Sequence, residues 1–286
     1  MDRNWSMLVK PRAIALIVKE PLEIYLDFLS EFKHYDIYII IDSCKKINTN
    51  TYQNKYKNIN FIQFDEELCK NNGYQNVNYI GIKKMISGWD KALLFFSLIV
   101  PLKYKNIWFI EDDVFFLSEQ VLTNLDAKYP TQDLISNCDF NNTKVTSNNT
   151  SDNKKDNENT DWLWPQIDIK IEKPWFAGMM CAVRASGALL QGIKWYATTY
   201  KTLFFLEALF PTITSHFKLS YVQPDELTTV TYRREFNDDE DSSRLDTHIF
   251  HPMKDIKQHL SIREISLRQI SLRQISLRQI SLRQIL

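Results

Sequence analysis

The chain has 286 residues, 44% hydrophobic and 24% charged, ordinary globular usage for one large domain or two small ones. Lys plus Arg and Asp plus Glu each number 35, so no net charge draws the chain to nucleic acid or an anionic membrane, and no nucleic-acid partner is expected. The four cysteines lack CxxC spacing, which argues against a zinc ribbon and against a disulfide framework.

The N-terminal segment has no apolar secretory stretch before Pro11. The longest apolar run, Ala92 to Leu102, is too short to cross a bilayer. No integral membrane segment is therefore expected, and the location expected is cytoplasmic, or the Golgi or ER lumen if an anchor lies outside this chain. RAIALIVKE, from Arg12 to Glu20, predicts a buried strand, and Pro21 opens a helix through LEIYLDFLSEF. HYDIYIIIDSC predicts a second strand ending at Asp42, and NINFIQF a third ending near Asp65. KKMISGWDKALLFFSLI predicts a helix with a broad apolar face, followed by a strand through NIWFIEDD. Strands alternating with helices, and apolar along their whole length, imply an α/β fold with a mainly parallel central sheet flanked by helices.

The tract 137–160 is nearly free of large apolar groups and reads as a disordered Asn-rich insertion. Beyond it, IDIKIE alternates like a strand, and the run after Pro174 is buried, with Cys181 reading as a core residue. YKTLFFLEALFPT is a second apolar block holding one acid, Glu207, and EFNDDEDSS reads as a solvated loop. From Ser261, SIREI is followed by SLRQI four times. A five-residue period turns about 140° around a helix per repeat, so it builds no apolar stripe. The domain expected is therefore 12–259, with 261–286 a low-complexity tail of no catalytic role.

Glu111, Asp112 and Asp113 interrupt an apolar strand. Burying adjacent carboxylates costs several kcal/mol, on the order of 2–7 for even a neutral polar group, unless a cation or strong donors compensate. In open α/β sheets ligands bind beyond the carboxyl ends of the strands. Carboxylates there hold a hard divalent cation such as Mg²⁺ or Mn²⁺, or accept hydrogen bonds from ribose. Strand alternation places Glu111 and Asp113 on one side and Asp112 on the other.

The apolar strand ending in EDD resembles the DxD-type motif of GT-A glycosyltransferases, with Glu111 in place of the first Asp. The ordered set GWDKAL, WFIEDDVFF, LEALFPT and HPMKD is similar to eukaryotic and giant-virus members of the nucleotide-diphospho-sugar transferase superfamily. The resemblance implies a GT-A-like domain that moves a sugar from a nucleotide-sugar donor to a hydroxyl of a glycan, protein or lipid, using Mn²⁺ or Mg²⁺. It assigns the metal to Asp113 and His251, with His248 as runner-up, and donor contacts to Lys19, Asp42, Asp90, Lys91, Glu111 and Asp112. Glu207 is the expected general base, with Asp225 and Glu226 as alternatives, and Trp175 and Gly178 shape the acceptor face. Trp89 reads as core. A metal-dependent nucleotidyltransferase or phosphohydrolase is the competing enzyme class, although VKEPLE after the first strand lacks a Gly-rich phosphate loop. A catalytically inactive sugar- or partner-binding relative is the third reading.

Overall fold

The computed structural model describes residues 10–78, 86–140 and 162–265. In chain order these form β1 (Lys10–Val18), α1 (Glu23–Ser30), β2 (Asp36–Ile41), α2 (Asn50–Lys55), β3 (Ile59–Ile62), α3 (Glu66–Asn71), α4 (Gly88–Leu94) and β4 (Tyr104–Glu111). There follow α5 (Glu119–Lys128), β5 (Leu134–Asn137), β6 (Met179–Ser186), α6 (Gly187–Tyr200), α7 (Leu206–His216), β7 (Tyr221–Val222), α8 (Asp238–Asp241) and a last helix, α9, over residues 256–265. The strands build a single sheet in the order β3-β2-β1-β4-β6-β5-β7. All are parallel except β6, which runs against both β4 and β5. The fold class expected from the sequence, α/β with a mainly parallel sheet flanked by helices, is the one observed.

β1 shows why its sequence runs apolar without interruption. Ala13, Ala15 and Ile17 face a core shared with α4, α6 and α7. Ile14, Leu16 and Val18 face a second core shared with α1 and α5. A strand covered on both faces has no position left for a polar residue. α4 approaches the ends of β1 and β2 so closely that a Cβ on Gly88 would lie 2.5 Å from Ile17 Cγ2 and 3.0 Å from Asp42 Cβ. Ser87 and Asp90 form a capping box at the start of this helix, and the helix continues into a π-helical turn at Phe95–Ile99.

Several expectations are corrected. IDIKIE is not a strand: Ile167, Ile169 and Ile171 bury alternately in the first core, but the segment joins no ladder. Alternating burial alone produced the strand-like pattern. Residues 137–140 belong to the folded body, with Asn137 ending β5 and Phe140 stacked on Tyr221 at 3.7 Å between ring centroids. The rest of the Asn-rich tract, apart from the first four positions, lies outside the described residues. EFNDDEDSS contains α8, held by a buried Asp241 that accepts from Arg234 at 2.8 Å.

The helical body also extends past residue 259 into the first repeat. Ile262 joins Phe115, Phe250 and Met253 in a third apolar cluster. The Arg263 guanidinium lies 3.6 Å from the Phe28 ring centroid and 4.9 Å from that of Phe115. Repeats beyond 265 lie outside the described residues.

One buried charge cluster joins β1, β4, α5 and β6 with Tyr35, the residue before β2. Asp126 and Arg184 are 1% and 0% exposed and pair at 2.8 Å. Asp126 also accepts from Tyr35 Oη at 2.7 Å and Trp108 Nε1 at 3.2 Å, and pairs with Arg12. Arg184 donates further to the carbonyls of Tyr129 and Gln132. Removing one partner of such a pair leaves an uncompensated buried charge. Asp126→Asn is expected to lose about 3–5 kcal/mol of unfolding free energy in denaturant titration. Tyr35→Phe, which removes a single hydrogen bond to that carboxylate, should lose less, about 1.5–3 kcal/mol.

Candidate active site

The acids stand at the carboxyl end of β4, in the middle of the sheet. Glu111 is the last strand residue, paired with Ile17 of β1. The chain then turns, closed by Val114 N–H donating to the Glu111 carbonyl. Strand alternation therefore stops at Glu111, and the turn sets where Asp112 and Asp113 go. Immediately after it, Phe115 and Phe250 exchange backbone hydrogen bonds of 2.9 and 2.8 Å. Met253 N–H donates to the Asp113 carbonyl at 2.7 Å. These bonds lay the segment around His251 against the acid turn.

His251 is buried, and its Nε2 lies 3.2 Å from Asp113 Oδ1. Its Nδ1 sits 2.7 Å from the Thr231 carbonyl, which can only accept, so Nδ1 carries a proton and Nε2 is the atom turned to the acids. Burial alone would lower the His251 pKa, but the hydrogen bond and charge of Asp113 outweigh it and raise it. Burial pushes the Asp113 carboxyl upward, and the His251 contact, helped by Lys254, brings it below its usual value. Asp112 is raised by burial, then by Asp113 and Glu111, against the pull of Lys19.

Glu111 accepts from Trp89 Nε1 at 2.6 Å through one oxygen, Oε1. Trp89 is thus a core residue that also orients an acid. Glu207 lies in the first turn of α7. Burial first, then the negative charge of Glu111, push its carboxyl up to about 7, with His251 opposing. The start of α7 is tied down by Leu206 N–H donating to the Val77 carbonyl and Gly178 N–H donating to the Glu207 carbonyl. On its other side Gly178 packs against the chain leaving β5, where a Cβ on it would lie 2.4 Å from Cys138 Cβ and 2.8 Å from the Asn137 carbonyl oxygen.

Other expected site residues are placed differently. Asp90 is fully buried, and its oxygens accept from Ser87 N, Ser87 Oγ and Val77 N, so it serves the helix start and is not available to a donor. Lys91 is buried and paired with Asp42 at 2.8 Å, so it is no free phosphate ligand, while Asp42 keeps a partly exposed side chain at the rim beyond β2. Lys19 is exposed just past β1. His248 pairs with Asp225 at 3.4 Å, and Glu226 with Lys128 at 2.6 Å, so His248, Asp225 and Glu226 have partners other than Asp113. Trp175 is half-buried and donates to the Ile171 carbonyl.

Two residues were not expected. Cys181 stands with Glu111 and His251, their ligating atoms all within 4.8 Å of one another. Lys254 acts electrostatically on Asp113. Cys181 was expected in the core because it sits in an apolar run, and only the reversal of β6 beside β4 reveals its neighbours. For Lys254, proximity to His251 in HPMKD was the available signal.

Carboxylates and an imidazole whose second nitrogen is fixed by a carbonyl form a donor set suited to a divalent ion. Tetrahedral ligands at about 2.1 and 2.3 Å from one ion lie roughly 3.6 Å apart, so atoms spread over as much as 4.8 Å would have to draw together by about 1 Å to share an ion.

No protein-family model matches the chain, and no curated protein matches it. Among solved structures, 4-diphosphocytidyl-2C-methyl-D-erythritol synthase from Anaerococcus prevotii has a TM-score of 0.41 at 12% identity, covering 84% of this chain and 97% of its own. Mouse xyloside xylosyltransferase 1 has a TM-score of 0.41 at 11% identity, covering 84% and 97%. The bifunctional IspDF from Campylobacter jejuni has 0.36 at 14%, covering 82% of this chain and 54% of its own. All three are distant likenesses.

The raised Glu207 has a measurable consequence without any ligand. The folded protein keeps a proton that the unfolded chain releases near pH 4.5, so the stability linked to Glu207 is full below that pH and lost as pH rises through about 7. Asp90, also pushed up to about 7 by burial, acts in the same direction but is common to wild type and variant. Glu207→Gln is therefore expected to gain stability over wild type between pH 4.5 and 7.5, by on the order of 1–3 kcal/mol, in denaturant melts with chelator present.

Proposed function

We propose that this chain is a divalent-metal-dependent glycosyltransferase of the GT-A type, moving a sugar from a nucleoside-diphosphate donor to a hydroxyl acceptor. The observation that carries this reading is the convergence of Glu111, Asp113 and His251 at the carboxyl end of a central parallel strand, where open α/β sheets bind ligands. Asp113 and His251 would hold Mn²⁺ or Mg²⁺, with Glu111 beside them. Such an ion, when bound, neutralises negative charge on the departing diphosphate.

The chain's own residues perform the remaining work. Trp89 fixes one Glu111 oxygen, and the other would serve the site or the ribose. Asp42, held by Lys91, accepts from the nucleoside at the rim of β2. Lys19, on the same rim, offsets the charge of Asp112 and lies on the donor side. Glu207 accepts the proton of the acceptor hydroxyl as its oxygen bonds to the anomeric carbon and the bond to the phosphate oxygen breaks. A carboxyl poised near 7 is matched to that task at neutral pH. Gly178 steadies the Glu207 helix, and Trp175 presents a ring near the acceptor side.

A thermal-shift screen of nucleoside diphosphates and nucleotide sugars is expected to show stabilisation by one nucleotide class only when Mn²⁺ is present, about 2.7 kcal/mol at a hundredfold excess over Kd. Asp113→Asn should lose that metal-dependent gain while melting normally without ligand, and full Mn²⁺-dependent turnover in this variant sinks the reading. Glu207→Gln should keep donor stabilisation but lose about 10²–10⁴-fold in transfer rate, with the wild-type rate rising through pH 7 and the variant's flat. Release of pyrophosphate from a nucleoside triphosphate, in place of sugar transfer, replaces this reading with nucleotidyl transfer.

A further inference from the structure

The metal-binding part of that reading specifies oxygen and imidazole donors, yet a thiol stands among them. β6 runs antiparallel to β4 in an unbroken register from Asn106↔Ser186 to Ile110↔Ala182. One step further, Cys181 faces Glu111 across the two strands. Directly opposed residues in an antiparallel pair have Cβ atoms about 4.5–5.5 Å apart, with side chains on the same face. The Cys181 sulfur, a Glu111 oxygen and a His251 nitrogen accordingly lie within 4.8 Å of one another. The other polar contact of the thiol is a weak one, with Met179 Sδ at 3.6 Å. One Glu111 oxygen is taken by Trp89 and His251 Nδ1 by the Thr231 carbonyl, while His251 Nε2 meets Asp113 Oδ1 at 3.2 Å, so the sulfur stands beside a cluster of oxygen and nitrogen donors.

We propose that the Cys181 sulfur is a ligand of the ion held at this site, and that the site takes a borderline-soft divalent cation, Zn²⁺ or Co²⁺, in preference to Mg²⁺. The inference rests on the metal-dependent reading above and revises its choice of ion, setting Mg²⁺ aside on the chemistry of the donors present. Mg²⁺ demands near-ideal octahedral oxygen coordination and retains several waters. A cluster of sulfur, imidazole nitrogen and carboxylate matches the donors of zinc sites instead. The thiol gives its proton to solvent as the sulfur–metal bond forms, so charge and atoms balance without an oxidant. Mn²⁺ retains the oxygen and imidazole donors of Asp113, Glu111 and His251, which makes its binding the least dependent on sulfur.

The test is a Co²⁺ titration of the full chain after chelator treatment, followed by absorption. The expected result is a thiolate-to-metal charge-transfer band in the near ultraviolet that saturates with a single ion. The band should persist in Cys44→Ser, which removes the exposed thiol, and vanish in Cys181→Ser. Co²⁺ and Zn²⁺ should bind Cys181→Ser at least about tenfold more weakly, with a smaller change for Mn²⁺. Cys181→Ala gives the same comparison if the serine variant does not fold, and the wild-type spectrum requires no variant. Co²⁺ binding that depends on Asp113 but shows no thiolate band, or unchanged affinity in Cys181→Ser, makes the sulfur a bystander and overturns the inference. Either result leaves Mn²⁺-dependent nucleotide binding standing, because that measurement does not involve the thiol. Absence of any Co²⁺ binding also overturns it, and the Mn²⁺ thermal shift then judges the transferase reading separately.

Discussion

The pairing of Phe115 with Phe250 is the constraint on which the rest of the site depends. Two backbone hydrogen bonds clip a late segment onto the turn that follows β4. His251 and Asp113 are remote in sequence, and these bonds, with that from Met253 N–H to the Asp113 carbonyl, are what bring them side by side. Apolar packing reinforces the clip, since Phe115 and Phe250 share a cluster with Met253 and Ile262. The polar site is thus positioned by a greasy neighbour. This arrangement is efficient because backbone bonds and apolar contacts keep their geometry whichever charge state the acids adopt.

Around that clip the molecule separates two kinds of buried charge. The Asp126–Arg184 pair is surrounded by donors and acceptors and is satisfied on nearly every side. Such groups fix the relation of strands and helices and have little freedom to change partners. Glu207 and Asp113 are desolvated but less fully matched, and their ionisation is displaced, upward for Glu207 and downward for Asp113. Strongly displaced ionisation in a cleft at the end of a sheet marks places where a ligand completes the electrostatics. Asp90 shows why displacement alone is insufficient: it is displaced as well, yet its oxygens are consumed by local amides.

Much of the sheet was legible because doubly covered strands are apolar throughout: β2 and β3 fall within the runs that predicted them, and β1 and β4 overlap theirs but each begin two residues earlier. The acid triplet was visible for the complementary reason, as charge where apolar residues were due. Legibility failed where the signal was three-dimensional. The alternation in IDIKIE reports a surface half-buried against one core, which a strand and an extended loop share. The capping role of Asp90 was readable in SGWD, a short signature overshadowed by the search for donor contacts. The neighbours of Cys181 follow from the direction of β6, and strand direction leaves no trace in a run as uniformly apolar as WFAGMMCAV. The pairing of Lys91 with Asp42 depends on Gly88 admitting α4 to the sheet edge, a matter of a missing side chain.

The guanidinium of Arg263, sandwiched between Phe28 and Phe115, gives the repeated sequence at the C-terminus an unexpected anchor. Its first copy, SIREI, differs from the later SLRQI units and supplies the ring contacts and the buried Ile262. The folded body therefore takes in the first copy of the repeat. That initial unit answers to the demands of a packed interior, so its composition is tethered in a way that simple duplication of a motif does not explain. Phe115 ties both stories together, because the same ring that receives the arginine belongs to the residue whose backbone holds the late histidine in place.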